Sequence, residues 1–334
     1  MTGQHKSNEK SRSWLHRSLL RTCAFLLIII PICLFLFLIG MHSTQENDVL
    51  FQYAKKNDLF QYVKAIKNLF NPPVPPRRAP FFPFYTFELN EFDQLVYYPN
   101  KTEVPRPKIS NRTVIAFLFG QSNSANHGGE KYQAANANVT NYWNGKFFVA
   151  ADPLLGATGW SGSVWTITAN KMLSKDIADQ IILVPAGVGS SYVNDWKQGG
   201  RLNAMLEKRL IEARADNLPI THFLWHQGES DNPVLGGISL NEYEKGLTGI
   251  IQLTQKYFPN SKFFIALVSR CGALPFSLEL QNVQRKMTKM ENVYLGPNSD
   301  KIDLADRYDD CHFSGRGLER LSDAWVSAIK EGTK

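Results

Sequence analysis

The sequence predicts an α/β protein, a three-layer α/β/α sandwich around a central parallel sheet, and three observations predict it. Four short runs, TVIAFLF (113–119), QIILVPA (180–186), ITHFLW (220–225) and KFFIALV (262–268), are apolar on both faces, as strands covered from both sides must be. Stretches of helical periodicity lie between and after them, at about 163–175, 201–215, 240–257, 277–290 and 315–330. The residues that follow the four runs, GQSNSANHG, GVGSS, HQGESD and SRCGAL, are polar, and three of the four are rich in glycine and small side chains. In a parallel sheet the ligand crevice lies beyond the carboxyl ends of the strands, so these four segments are expected to share one crevice.

The chain is long enough for one sizeable domain with appendages, at 334 residues, 43% hydrophobic and 12% aromatic. The appendages come first. Residues 1–22 form a basic tail, and 23–41, CAFLLIIIPICLFLFLIGM, carry no charge. At about 1.5 Å per residue this run reaches roughly 28 Å, close to the hydrocarbon thickness of a bilayer. A cleaved signal peptide is the rival reading, but its apolar part is usually about 7–15 residues long and ends in a small-residue cleavage site, which GMHSTQEN lacks. A transmembrane anchor is therefore expected. Basic residues precede it and Glu46 and Asp48 follow it, so the N-terminus is expected in the cytoplasm and the body outside it.

Residues 42–80 are expected to form an amphipathic stalk and a stiff spacer. Leu59, Tyr62, Val63, Ile66 and Phe70 fall on one helical face, and NPPVPPRRAP (71–80) reads as polyproline. The stalk could lie on the membrane, lie on the body, or oligomerise. The domain proper is placed at 81–334. The formal charge is +7, of which the first 21 residues hold +4. No basic stripe marks the remainder, so no nucleic-acid partner is expected. Outside the anchor there are two cysteines, Cys271 and Cys311, read either as a disulfide or as two free buried thiols. Asn100, Asn111 and Asn138 each open a glycosylation acceptor triplet, which acts only in a eukaryotic secretory pathway.

Ester hydrolysis needs a nucleophile, a base and donors for the oxyanion. Ser122 sits just beyond the first run, outside any G-x-S-x-G elbow. The body holds His127, His222, His226 and His312. His222 lies within a strand, His226 at a strand end, and His127 has no carboxylate close in sequence. His312 follows Asp309 by three residues in YDDCHFSG, a spacing that lets the carboxylate turn onto the imidazole. C-x-x-C, H-E-x-x-H and Walker-type loops are absent, so no metal or cofactor is expected.

FGQSN, WHQGESD and DDCHFS, in that order, resemble the SGNH hydrolase superfamily, and within it the sialate O-acetylesterase-like branch and its carbohydrate acetylesterase relatives. The resemblance covers roughly 112–330. It implies a serine esterase that removes O-acetyl groups from a glycan, with Ser122 as nucleophile, His312 as base and then acid, and Asp309 orienting it. It implies the Ser122 amide, the Gly189 amide (or that of Gly187) and the Gln227 side chain as oxyanion donors. Ser230 stands where the wider superfamily has an asparagine donor. Asn123 and Glu229 would support the nucleophile loop and substrate, and Ser124 is the alternative nucleophile. Trp143, Trp160, Trp165 and Trp196 fall between the blocks, either packed in the core or stacking on sugar; Gly156–Trp165 is the expected substrate-side loop, with Trp160 its binding residue. The same set would also serve an acetyltransferase or an esterase acting on lipid-borne esters, and the fold could survive as a glycan-binding protein without catalysis.

Overall fold

The computed structural model describes residues 87–272 and 275–332. The chain divides into two units, Met1–Arg78 and Ala79–Lys334, and every described residue belongs to the second. The expected tail, anchor, stalk and spacer therefore lie outside the described residues. Among the described residues no helix is long and apolar enough to cross a membrane.

A short antiparallel hairpin, β1 (Glu88–Leu89) and β2 (Leu95–Tyr97), precedes an eight-stranded sheet. The sheet contains β3 (Glu103–Val104), β4 (Thr113–Gly120), β5 (Val139–Trp143), β6 (Lys146–Val149), β7 (Gln180–Pro185), β8 (His222–His226), β9 (Lys262–Leu267) and β10 (Val293–Asn298). Their order is β10-β9-β8-β4-β7-β5-β6-β3. The pairs from β10 to β5 are parallel, while β6 and β3 add an antiparallel edge. The four expected strands are β4, β7, β8 and β9. The sequence concealed β10, because VYLGPN carries Gly296 and Pro297 inside it, and β5, because VTNYW places an asparagine mid-strand.

The helices are α1 (Val164–Ser174), α2 (Val193–Trp196), α3 (Asn203–Ala215), α4 (Leu240–Tyr257), α5 (Leu278–Lys286) and α6 (Gly315–Gly332). The stretch expected as one helix over 277–290 is α5 followed by a separate 3-10 turn at Met287–Lys289. Ser163, Ser239 and Ser277 cap α1, α4 and α5 through their hydroxyls, satisfying amides that the first helical turn leaves unpaired.

Side chains along β4 alternate between two cores, as strand geometry requires. Ile115, Phe117 and Phe119 pack with Leu206 and Leu210 of α3 and Leu247 and Ile250 of α4. Val114, Ala116 and Leu118 pack with Trp165 and Ala169 of α1 and Leu318, Leu321 and Trp325 of α6. This explains the continuous apolar run, and it gives the three-layer sandwich its central strand. From β4 the chain builds β5, β6 and β7 on one side, then crosses to β8, β9 and β10 on the other. The carboxyl end of β4 therefore borders the point where the winding reverses, the place where sheets of this kind bind their ligands.

Candidate active site

Gly120 ends β4 with φ +124, and a side chain there would meet the His226 carbonyl at 2.2 Å. Only glycine lets the strand turn so close to β8. The chain then forms a 3-10 turn, Ser122–Ser124. The Ser122 N–H opens that turn, where no preceding carbonyl of the turn can accept it. Ser124 is fully buried and its hydroxyl donates to the Gln121 carbonyl at 2.7 Å, which leaves Ser122 as the serine of the turn nearest the surface. Trp165, on α1, donates its indole N–H to the Ser124 carbonyl at 2.8 Å.

The loop after β8 supports this turn from below. Glu229 Oε1 accepts from Asn123 Nδ2 at 2.8 Å, and Asn123 Nδ2 also reaches the Cys311 carbonyl at 3.4 Å. Glu229 is buried, and burial pushes its carboxyl up to about 7. It therefore acts on the turn through Asn123 and does not form part of the crevice surface. Gly228, at φ +157, lets the same loop approach the Val268 carbonyl, which a Cβ would meet at 2.1 Å. Gln121 Oε1 accepts from Gly228 N–H at 3.3 Å, Ser230 N–H at 3.1 Å and Gln227 Nε2 at 3.2 Å.

Gln227 is placed differently from the oxyanion donor that the resemblance implies. It is fully buried, and its Nε2 donates to Gln121, to the Ser191 carbonyl at 3.1 Å and to Asp231. Asp231 also accepts the Val193 N–H at 2.8 Å, so Gln227 and Asp231 join the loops after β7 and β8. The Gly189 N–H, the other expected donor, gives its hydrogen to Thr158 Oγ1 at 2.8 Å.

Asp309 and His312 meet as their spacing predicts. Asp309 Oδ2 lies 2.6 Å from His312 Nδ1, and Oδ1 accepts the backbone N–H groups of His312 at 2.6 Å and Cys311 at 3.1 Å. Burial raises the Asp309 carboxyl, but these bonds outweigh it and hold the group down at about 2. An ionised Asp309 accepts only, so His312 Nδ1 carries the hydrogen and Nε2 is left with the lone pair. Nε2 has no hydrogen-bond partner among the described residues.

The loop bearing His312 is irregular, and cross-links take the place of regular structure. A disulfide joins Cys311 to Cys271, the loop after β9; of the two readings open for these cysteines, the structure takes the bonded one. Arg307, buried with its guanidinium 4.1 Å from the Phe313 ring, donates to the Cys311 carbonyl at 2.5 Å and the Ser299 carbonyl at 2.9 Å. The Gly129 N–H donates to the Phe313 carbonyl at 2.8 Å, and the Tyr308 hydroxyl to the His127 carbonyl at 2.8 Å. These links bring the Ser122 turn and the His312 loop to one place at the carboxyl end of the sheet. Arg307, Thr158, Gln121 and Asp231 carry no motif of their own, since buried polar partners are chosen by three-dimensional position. Gln121, inside GQSN, Asp231, inside HQGESD, and Thr158, inside the Gly156–Trp165 loop, lay in segments already marked; Arg307 did not.

Of the four tryptophans, Trp165 and Trp196 are core residues, and Trp143 lies under the Arg209 guanidinium at 4.4 Å. Trp160 is 43% exposed and stacks on Phe87 at 5.7 Å. Its loop pairs with the Ser122 segment through Gly162 and Gly128, so Trp160 is the one of the four that an incoming sugar could reach.

The three-layer fold, with a serine turn and an Asp–His pair tied together at the carboxyl end of the sheet, is that of an esterase of the SGNH class. A family model described as "Carbohydrate esterase, sialic acid-specific acetylesterase" matches residues 112–331, and the chain belongs to that family. It is a carboxylic ester hydrolase. Among solved structures, a protein of Arabidopsis thaliana is similar at 20% identity and a TM-score of 0.55, over 66% of this chain and 98% of that one. NanS is similar at 15% identity and a TM-score of 0.48, over 66% and 97%. A carbohydrate acetylesterase from Xanthomonas citri is similar at 12% and 0.45, over 65% and 56%. No curated protein matches the chain.

Proposed function

We propose that this carbohydrate acetylesterase removes O-acetyl groups from a glycan by an acyl-enzyme mechanism on Ser122, with His312 as base and Asp309 as its orienting carboxylate. Ser122 Oγ attacks the acetyl carbonyl carbon while His312 Nε2 takes its proton. The tetrahedral oxyanion is met by the Ser122 N–H, and by the Gly189 N–H once the substrate oxygen replaces Thr158 Oγ1 as its acceptor. The sugar oxygen leaves with the proton from His312. Water then attacks the acetyl-serine carbonyl, giving a proton to His312; the bond from the acyl carbon to Ser122 Oγ breaks, His312 returns the proton to that oxygen, and acetic acid departs and ionises to acetate. Gln227 holds Gln121 and Asp231 in place; Trp160 receives the sugar.

The single observation that carries this reading is the Asp309–His312 pair, with Nδ1 bound, Nε2 bare, and its loop tied to the turn of Ser122. The protein is further proposed to be held to a membrane by residues 23–41, with this domain on the extracytoplasmic side, on the strength of the uncharged run and its basic flank. Ser122→Ala should abolish hydrolysis of a short-chain aryl ester and of O-acetylated glycans while the melting temperature stays within a few degrees. A variant that keeps wild-type turnover would move the nucleophile elsewhere.

A further inference from the structure

His127 belongs to the GQSNSANHG segment, yet the reaction outlined above gives it no work. Its ring lies 5.4 Å from that of His312, with only 21° between the planes. It is held there from several directions. His127 Nε2 lies 3.1 Å from Thr158 Oγ1, and the His127 carbonyl accepts the Tyr308 hydroxyl at 2.8 Å. The next residue, Gly128, exchanges backbone hydrogen bonds with Gly162 at 2.8 and 3.0 Å, and its carbonyl also accepts Ser161 Oγ at 2.6 Å.

We propose that His127 is a positioning residue for His312, a fixed neutral ring against whose face the catalytic imidazole is kept in plane. The inference rests on the assignment of His312 as base. The need for it is geometric. The bond from Nδ1 to Asp309 fixes one edge of the imidazole and still lets the ring rock about that bond. Two rings lie nearly parallel to it: Tyr308, from its own loop, at 5.9 Å and 23°, and His127, from the serine segment, nearer at 5.4 Å and 21°. Tyr308 moves with the loop that carries His312, so it is His127 that holds the imidazole relative to the Ser122 turn and keeps Nε2 aimed at one point. Misplacement by about 1 Å can lower a rate by roughly a hundredfold.

The neighbour must also tolerate the charge that His312 acquires in each half-reaction. Burial, helped by His312 itself, pulls His127 down to about 4, so at neutral pH it stays uncharged and does not repel an imidazolium. Thr158 fits this state. Its oxygen accepts the Gly189 N–H at 2.8 Å, and its own hydrogen can then be given to His127 Nε2. His127 is not placed to replace His312 as the base, because its Nε2 is engaged by Thr158 and, among the described residues, no carboxylate hydrogen-bonds its ring.

The test uses full-length protein with His127→Phe, His127→Gln and His127→Ala. Phenylalanine keeps a flat ring and loses the polar link; glutamine keeps a polar tip and loses the ring. We expect kcat to fall about tenfold to a hundredfold in the Gln and Ala variants, with KM within about twofold, and the Phe variant to return to within about threefold of wild type. Phe as impaired as Gln, or all three at wild-type rate, would overturn the proposal. A readout independent of catalysis accompanies it: in histidine-labelled protein the His312 ring signals should broaden in the Gln variant and stay sharp in the Phe variant. Should Ala fail to fold, the Phe and Gln pair still decides. Loss of the nucleophile reading would appear in Ser122→Ala alone and leave the ring signals untouched.

Discussion

Asn123 Nδ2 donates to Glu229 Oε1 at 2.8 Å, across 106 positions of sequence and wholly beneath the surface. The bond joins the serine turn after β4 to the loop after β8. The burial of Glu229 also sets a pH dependence, which the bond from Asn123 opposes without cancelling. Burial raises Glu229 to about 7 from an ordinary 4.5, so folding favours its protonated form. That stability is fully present below about pH 4.5 and is lost as pH rises through about 7. Burial raises Asp152 and Asp231 to about 6, with the same sign. Glu229→Gln keeps an acceptor for Asn123 and cannot ionise. It should therefore be more stable than wild type at pH 8, by at most about 2–3 kcal/mol, and nearly equal to it at pH 5. Urea unfolding at both values measures this; the same pH slope in both proteins would refute it.

The disulfide between Cys271 and Cys311 spans 40 residues and ends beside His312. In the chain-entropy account a loop of this length contributes about 3–4 kcal/mol. Its larger effect should be on alignment of the base. Reductant, or paired Cys→Ser substitutions, should lower kcat about tenfold or more at temperatures where the fold remains intact. Thiol titration, melting temperature and turnover followed together measure it. Activity that declines only in step with unfolding would count against the alignment role.

Trp165, on α1, supports the serine turn through a second bond, independent of Asn123. Its indole N–H bonds the Ser124 carbonyl at 2.8 Å within the core. Trp165→Phe preserves a ring and leaves that buried carbonyl without its donor, a loss of about 1–3 kcal/mol. We expect a drop of several degrees in melting temperature together with a several-fold fall in kcat and little change in KM. Unchanged kcat would mean the turn keeps its shape without the bond.

Asn100, Asn111 and Asn138 are all exposed. Asn111 and Asn138 precede β4 and β5, at the end of the parallel strands opposite the catalytic loops. If the proposed extracytoplasmic side is the lumen of a eukaryotic secretory pathway, these sites should carry glycans that leave turnover within about twofold. Native protein treated with peptide N-glycosidase should lose mass in steps, and each Asn→Gln change should remove one step. Unaltered mass would argue against that compartment.

The sequence made the centre of the molecule legible and its margins less so. Strands β4, β7, β8 and β9 announce themselves because burial on both faces leaves no polar alternation. Strand β10 does not, because Gly296 and Pro297 read as a turn, and only its pairing with β9 in three dimensions marks the segment as a strand. Asp309 and His312 could be paired from spacing because three residues of chain bring them together. The Gln227 amide could not be placed from sequence, because its partners Gln121, Ser191 and Asp231 come from three different loops. His127 was visible as a histidine without a carboxylate; only the structure places its ring beside His312.

Ser122 and His312 ride on parts of unequal stiffness. Ser122 extends from β4, which has a strand on each side and a core on each face. His312 hangs from an irregular segment beyond β10, the last strand of the sheet. Local opening begins at such margins and reaches central strands last. Warming should therefore separate base from nucleophile before the fold gives way, so that loss of turnover precedes the calorimetric transition and reverses on cooling. Amide exchange would register the same sequence of events, fast around Tyr308–Phe313 and slowest along Ile115–Phe119. On this reading the hold on one peripheral loop would set the working temperature of the enzyme, and the sheet its melting temperature.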